Sequence, residues 1–316
     1  MSRRVHDAVA RGYNSEHGII AAKNRTVAAA MQARWGGRRD PLQVVDLGVG
    51  DGALLARLAA LNLPMRMTGL DISPAMLRRA AGRVAMTPVR GNAAEALKHL
   101  PAGQFDLVLS HFIFAYVDRA QLLAQACGLL ARGGMLSVVT STDEGGAPFH
   151  EGLARVFRHS RNPLRRAIGW AADRALAQSH VPRDFATLAA DLERAGLAVL
   201  ARRTLRTRMV FHGPDDAYRF GVEEGWAAGM LAVPGVPLRL AQAIVRWGTR
   251  QYEYPFEFTH VTEIVDAGRA AEHQAAMVAA DAAAGAANAA AGATSTAAQV
   301  LMPEVAPHAI VIVAAG

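Results

Sequence analysis

The stretch Val44–Leu58, "VVDLGVGDGALLARL", constrains this 316-residue chain more than any other. An apolar run carries an acid, glycines follow at alternate positions, and Leu54, Leu55 and Leu58 then recur at helical spacing. A buried strand that passes directly into a helix needs unusual backbone freedom at the turn, which glycine supplies. From Pro41 to Thr140 short apolar runs alternate with helical stretches such as "PAMLRRAAGRV" and "RAQLLAQACGLLA". That alternation is the pattern of βαβ units around a parallel sheet. The expected strands are Val44–Leu47, Met67–Asp71, Met86–Val89, Phe105–Ser110 and Met135–Thr140.

Around this centre the chain divides by character. Residues 1–40 read as an amphipathic helical cover ending at "GGRR", and residues 41–213 as the nucleotide-binding domain. Within the latter, "STDEGGAPFH" reads as a loop, arginine-rich helical material runs from Glu151 to Arg174, and an extended segment follows the turn at Gly196. Residues 214–254 hold most of the late aromatics on amphipathic stretches and read as a helical lid. Residues 255–269, "FEFTHVTEIV" at their centre, are the expected last strand in preference to "HAIVIVAAG". The alanine-rich stretch in 270–316 is of low complexity, broken by Gly285 and Gly292, with little that could pack.

Composition narrows the possibilities. The hydrophobic content of 52% is ample for a core, and the formal charge of +7 leaves nucleic acid, an anionic protein and an acidic small molecule open as partners. Cys127 is the sole cysteine, which excludes an internal disulfide and a cysteine metal site; its apolar setting predicts packing. No His/Asp/Glu spacing argues for a metal. The N-terminus lacks a signal-peptide core and no apolar run reaches membrane-span length, so a cytoplasmic protein is expected.

The glycines alone leave the ligand open. Gly48, Gly50 and Ala53 satisfy the dinucleotide spacing G-x-G-x-x-A, and Asp71 stands where a ribose-binding acid would. Asp46, two residues before the first glycine, tells against this: a carboxylate beside the turn opposes a pyrophosphate and suits a cationic ligand. From here the chain resembles the class I S-adenosylmethionine-dependent methyltransferases. "MTGLDIS", "VRGNAAE", "FDLVLSHFIFAYV" and "LLARGGMLSVV" follow in the family's order at ordinary spacing. The resemblance implies a doubly wound, mostly parallel, Rossmann-like α/β sheet of seven strands closed by an antiparallel one, with a helical lid insertion. It implies S-adenosyl-L-methionine as cofactor, held by Asp46, Gly48, Gly50, Gly52, Asp71, Ile72, Asn92, Ala93, Ser110 and His111. Asp71 would accept from the ribose hydroxyls, Asn92 and Ala93 would lie by the adenine, and Ser110, His111 and Phe112 would line the methyl-transfer end.

The acceptor is less constrained. Methyl transfer from a sulfonium needs alignment and water exclusion, plus a base when the nucleophile is an alcohol, phenol or protonated amine; a carboxylate needs none. His111 is the base candidate, with packing or backbone hydrogen bonding as the alternative role, and Tyr116 is a second catalytic candidate. Many relatives carry a histidine-rich end to this motif where this chain has Ala115 and Tyr116. Tyr13 or Lys23 could reach the methionine carboxylate. Tyr13, Phe112, Trp226, Met230, Trp247 and Tyr252 would line an apolar acceptor pocket, or else form the core of the lid. Arginines at 155, 158, 161 and 165, then at 202, 203, 206 and 208, suggest an anionic partner: acyl carrier protein, a coenzyme thioester or a free acid. The segment "LARRTLRTRMVFHGPDDAYRFGVEEGWAAGM" is faintly similar to bacterial malonyl-thioester and related carboxyl O-methyltransferases. The expected activity is O-methylation of a carboxylic acid such as a fatty acid or acyl thioester. The alternatives are a nucleic-acid, phenol or amine methyltransferase, and a non-catalytic cofactor-binding regulator. Against nucleic acid, "SHFI" stands where many base-methylating enzymes carry D/N-P-P-Y/F.

Overall fold

The structure, a computed structural model, describes residues 18–163, 180–226 and 236–275, with Arg166, Gly169, Trp170, Asp173 and Leu231 between them. Tyr13, Arg165, Met230, "HAIVIVAAG" and nearly all of the alanine-rich extension lie outside the described residues. The first helix, α1 (Gly18–Trp35), precedes β1 (Leu42–Leu47), α2 (Ala53–Ala59), β2 (Met65–Asp71), α3 (Pro74–Arg83) and β3 (Thr87–Arg90). A 3-10 turn, Ala93–Lys98, leads to β4 (Phe105–His111), α4 (Arg119–Leu129) and β5 (Leu130–Ser141). Then come α5 (Asp143–Arg158), α6 (Phe185–Arg194), β6 (Leu197–Phe211), α7 (Pro214–Tyr218), α8 (Leu238–Thr249) and β7 (Phe256–Arg269).

The seven strands form one sheet in the order β3-β2-β1-β4-β5-β7-β6. Strands β1 to β5 are parallel, and β7 runs antiparallel to both β5 and β6. The expected strands are therefore present, four of them extended by one or more residues and the third shifted by one residue to Thr87–Arg90, and "FEFTHVTEIV" supplies the antiparallel strand. One expectation is corrected: "STDEGGAPFH" is helical from Asp143 rather than a loop. Phe149 and Phe157, eight residues apart and so on one face of α5, are both buried, and that apolar stripe holds the helix against the protein.

Period-two alternation divides the strand side chains between two cores. Val45, Leu47, Val108, Leu136 and Val138 meet α4 and α6 through Leu122, Leu188 and Leu192. Val44, Leu107, Leu109 and Val139 meet α1, α2 and α3 through Val27, Met31, Leu55, Leu58 and Leu77. Cys127, half-buried, packs against the first core as its sequence setting predicted. Asp46, His111 and Ser137 fall on the α1 side by the same alternation, because they share parity with Val44, Leu109 and Val139.

Two features position a site. After β3 the chain crosses to the other side of β1 to begin β4, which places a topological switch point between the carboxyl ends of β1 and β4. Pairing of β5 with β7 stops at Ser141↔Thr262, while β6 and β7 continue together to Phe211↔Phe256. The outer half of that hairpin thus runs past the carboxyl end of β5 and walls one side of the crevice. Its arginines are largely spoken for: Arg202 makes a bidentate pair with Glu263, Arg203 pairs with Asp266 and Arg208 with Glu257. Three of the four β6 arginines serve the sheet's own acids, which removes much of the sequence argument for an anionic protein partner there.

Candidate active site

The glycine turn sits at the switch point. Gly48 and Val49 donate their N–H groups to Leu70 O at 2.8 and 3.1 Å, fastening the turn to the end of β2. Gly48, Gly50 and Gly52 all have positive φ, at 83°, 56° and 77°, and so occupy the left-handed region that glycine tolerates. Their surroundings differ. A β-carbon on Gly48 would meet Ile113 Cδ1 at 2.7 Å, and one on Gly52 would meet Ala80 Cα at 2.8 Å; on Gly50 it would meet nothing within 4 Å. Gly48 and Gly52 therefore serve packing, whereas Gly50 turns bare backbone toward open space.

Asp71, at the end of β2, faces the same space. Its carboxylate accepts from Gly50 N at 3.0 Å and from Ser73 N at 2.8 Å, tying turn, strand and the start of α3 together. Ser73 in turn caps α3, accepting from Met76 N, with Pro74 at the first helical position. Beside Asp71, Ile72 is 39% exposed, one of few large aliphatic side chains so placed. Asn92 accepts from Ala94 N and orders the turn in which Ala93 is buried.

Beneath the turn lies a buried charge cluster. Asp46, Asp51 and Asp71 are all under 9% exposed. Asp51 is paired with Arg83 at 3.2 Å. Lys23, on α1, is also buried, and its Nζ lies 2.9 Å from His111 Nδ1. Burial pushes the Asp46 carboxyl up to about 7, with Lys23 opposing and Asp71 reinforcing the rise. Burial draws Lys23 down to about 8, while Asp46 and Asp51 favour its charge. His111 is held well below its ordinary value, by burial and then by Lys23. A lysine ammonium can only donate, so Nδ1 of His111 accepts; Nε2 then carries the proton and donates to Ser137 Oγ at 3.3 Å.

Just beyond β4, where the methyl-transfer end was expected, Phe112 has φ of 52°, a strained value for an aromatic residue. Its ring meets Trp226 edge-on at 5.2 Å and His260 at 6.5 Å. Tyr252 joins the same aromatic cluster with Ile19, Phe149, Phe211, Phe220 and Phe258. Trp247 does not: it packs on Phe157 at 5.3 Å, on another part of α5. Tyr116 belongs to a separate cluster with Val222, Leu231 and Val245, its hydroxyl donates to Gly225 O, and burial raises it to about 12. The structure adds two residues that sequence reasoning did not assign. His260 lies between Ser141 Oγ and Thr262 Oγ1, both at 3.1 Å, and His150 Nε2 contacts Trp226 O at 3.0 Å. Burial lowers both histidines to about 4. For His260 the parity of β7 was the available signal; for His150 there was none, since its segment read as a loop.

The residues present suit the implied cofactor. Gly50 offers backbone without a side chain, an exposed Ile72 flanks a buried carboxylate, and Ser110 Oγ and Asn24 Oδ1 are buried without hydrogen-bond partners. The cluster of carboxylates disfavours a pyrophosphate and favours a cationic, phosphate-free adenosine derivative. Fold and turn together define a Rossmann-like domain with a glycine turn at its switch point.

Comparison with known proteins agrees. Residues 45–138 match the family described as "Methyltransferase domain", which supports an S-adenosylmethionine-dependent methyltransferase. An uncharacterized methyltransferase of Mycobacterium tuberculosis is 40% identical over 99 residues, 31% of this chain and 49% of its own length. The malonyl-[acyl-carrier protein] O-methyltransferase of Geobacter sulfurreducens is 31% identical over 140 residues, 43% of this chain and 52% of that one. The trans-aconitate 2-methyltransferase of Methylobacterium radiotolerans is 36% identical over 99 residues, 31% of this chain and 37% of that one. The chain thus spans about half the length of the first two relatives and less of the third. Among the described residues, no helix is long and apolar enough to cross a membrane and no group of metal-ligating side chains occurs.

Proposed function

We propose that the protein transfers the methyl group of S-adenosyl-L-methionine to the carboxylate oxygen of a small, largely apolar acid. The cofactor would lie across Gly50 with its ribose on Asp71, its adenine beside Ile72, Asn92 and Ala93, and its sulfonium toward Phe112. The observation that carries the acceptor class is the state of the titratable groups around Phe112. His111 has both ring nitrogens engaged, and His150 and His260 are both lowered to about 4 by burial. These are poor bases for deprotonating an alcohol or phenol, whereas a carboxylate arrives already ionised. Two of the relatives carry names that specify methylation of acids or acyl carriers, which supports the same reading. The aromatic cluster around Phe112, Trp226 and Tyr252 would receive the apolar body. A free acid suits it better than an acyl carrier protein, because the β6 arginines are engaged within the sheet.

Incubation with labelled cofactor and a panel of trans-aconitate, fatty acids, a malonyl-loaded acyl carrier protein, phenols, amines and tRNA tests the proposal. Label is expected in a base-labile ester of a free acid. Label confined to phenols, amines or tRNA would sink the carboxylate reading, and firm cofactor binding with no transfer to any acceptor would favour a regulatory protein.

The buried carboxyl of Asp46 makes cofactor binding pH-dependent. The cationic cofactor favours the ionised carboxyl, and a free-protein value of about 7 leaves roughly a tenth of it ionised at pH 6. Affinity is therefore expected to fall on the order of tenfold between pH 8 and pH 6. Calorimetric titration of Asp46→Asn across that range is expected to give weaker binding that no longer strengthens as the pH rises from 6 to 8; a wild-type rise retained in this variant would assign the titration to another group.

A further inference from the structure

Trp226 holds a donor that nothing receives. Its indole Nε1 is shut off from solvent and, among the described residues, meets no hydrogen-bond acceptor. A buried N–H left in that state is costly, and a ligand that brings an acceptor relieves the cost. The segment carrying the indole is tied on several sides. The Trp226 amide donates to Phe220 O at 3.4 Å, and the Trp226 carbonyl lies 3.0 Å from His150 Nε2. A carbonyl can only accept, so His150 Nε2 carries the proton of that bond. At the preceding residue, Gly225 O accepts from the Tyr116 hydroxyl at 3.3 Å. The ring is held as well. It stacks on Phe220 at 5.3 Å with 6° between the planes, and it meets His260 edge-on at 4.8 Å and Phe112 edge-on at 5.2 Å. His260 is itself fixed, with the hydroxyls of Ser141 and Thr262 at its two nitrogens. An aromatic box beside Phe112 thus contains one polar hydrogen with no acceptor.

We propose that Trp226 Nε1 binds one carboxylate oxygen of the methyl acceptor, and that this single neutral donor makes the protein select acids. This rests on the free-acid reading given above, under which the sulfonium lies toward Phe112. The chemistry suits one donor. One oxygen accepts from Nε1–H while the other attacks the methyl carbon; the C–O bond forms as the C–S bond breaks, the electron pair stays with sulfur, and no proton moves. A guanidinium in the same place would grip both oxygens in a bidentate pair and hold back the attacking one. An indole N–H has one bond to give and leaves the second oxygen its lone pairs. An ammonium acceptor group has no lone pair for that N–H, so amines are selected against. His150 acts as a positioning residue, holding the indole through the Trp226 carbonyl.

The probes are octanoate and trans-aconitate, with S-adenosylhomocysteine as the control ligand, all on the full chain. In isotope-labelled protein saturated with S-adenosylhomocysteine, the indole N–H resonance that vanishes in Trp226→Phe is expected to move downfield when the methylated acid is added. Replacement of Trp226 by benzothienylalanine keeps the bicyclic shape and exchanges the N–H for sulfur. It is expected to raise KM for that acid on the order of 10- to 100-fold, the loss of a hydrogen bond to a charged group, with S-adenosylhomocysteine affinity unchanged. Because the same exchange removes a buried donor with no partner, the variant should unfold no more readily than the parent. His150→Leu should raise KM several-fold, and His150→Gln, which restores a donor to the Trp226 carbonyl, should recover most of the loss. A methylated acid that leaves the indole resonance in place, or that keeps its parental KM in the benzothienyl variant, would overturn this site while the free-acid reading stands. Transfer to neither acid would remove the acceptor on which the inference rests, and the inference with it.

Discussion

Gly52→Ala is expected to lower the unfolding free energy by about 2–4 kcal/mol, whereas Gly50→Ala, two residues away, is expected to cost only about 1 kcal/mol. Both residues have positive φ, so each alanine meets the strain of the left-handed region. They differ in what the added methyl encounters. At Gly52 it would lie 2.8 Å from Ala80 Cα and 2.9 Å from Ala80 Cβ. Those atoms belong to the α3 backbone and its first side-chain carbon, neither of which can rotate away, so α2 and α3 must separate. That separation opens the core in which Leu55, Leu58 and Leu77 meet. At Gly50 no atom lies within 4 Å, and the fold has nothing to displace. The proposed ligand does: the methyl would stand where bare backbone is presented to it. Gly50→Ala should therefore keep a near-parental urea midpoint and lose cofactor affinity by tenfold or more. Equal destabilisation by the two alanines would show that the turn's glycines are purely a matter of packing.

That contrast marks where sequence reading succeeds. The parallel strands were legible because a strand buried on both faces must be a short apolar run, and β1 and β4 are such runs. The turn was legible because only glycine tolerates three positive φ values within five residues. What each glycine is for was not legible, since it depends on Ala80 and Ile113, which the fold brings up from elsewhere. The buried network was visible only in part. His111 and Asp46 stood out by their motif positions, but their shared face with Lys23 and Ser137 follows from strand register and from how α1 lies on the sheet. The same limit applied to charge. Arginines at 202, 203 and 208 looked like a basic face because their partners, Glu263, Asp266 and Glu257, lie about fifty to sixty residues further along and meet them only across β6–β7 pairing.

The largest effect on ligand binding is expected at Asp71. On the proposed reading its carboxylate accepts from both ribose hydroxyls while retaining the amides of Gly50 and Ser73, which is possible because two carboxylate oxygens offer about four acceptor sites. Asp71→Ala removes all of these at once. Two charge-assisted bonds to the ligand, at about 1.5–3 kcal/mol each and not fully additive, correspond to a loss on the order of 100-fold or more in affinity for S-adenosylhomocysteine. The protein itself is expected to lose about 1–3 kcal/mol, because the amides of Gly50 and Ser73 are left without their acceptor and the start of α3 loosens. Affinity and stability can be separated with Asp71→Asn. That variant keeps one carbonyl oxygen for the Ser73 amide, so most stability should return, but it directs an NH2 group toward Gly50 N–H and the ribose, where acceptors are required. It should unfold close to the parent in urea yet bind S-adenosylhomocysteine on the order of tenfold or more weakly. Parental affinity in both variants would place the ribose elsewhere, and the carboxylate of Asp71 would then be only the fastening between the glycine turn and α3.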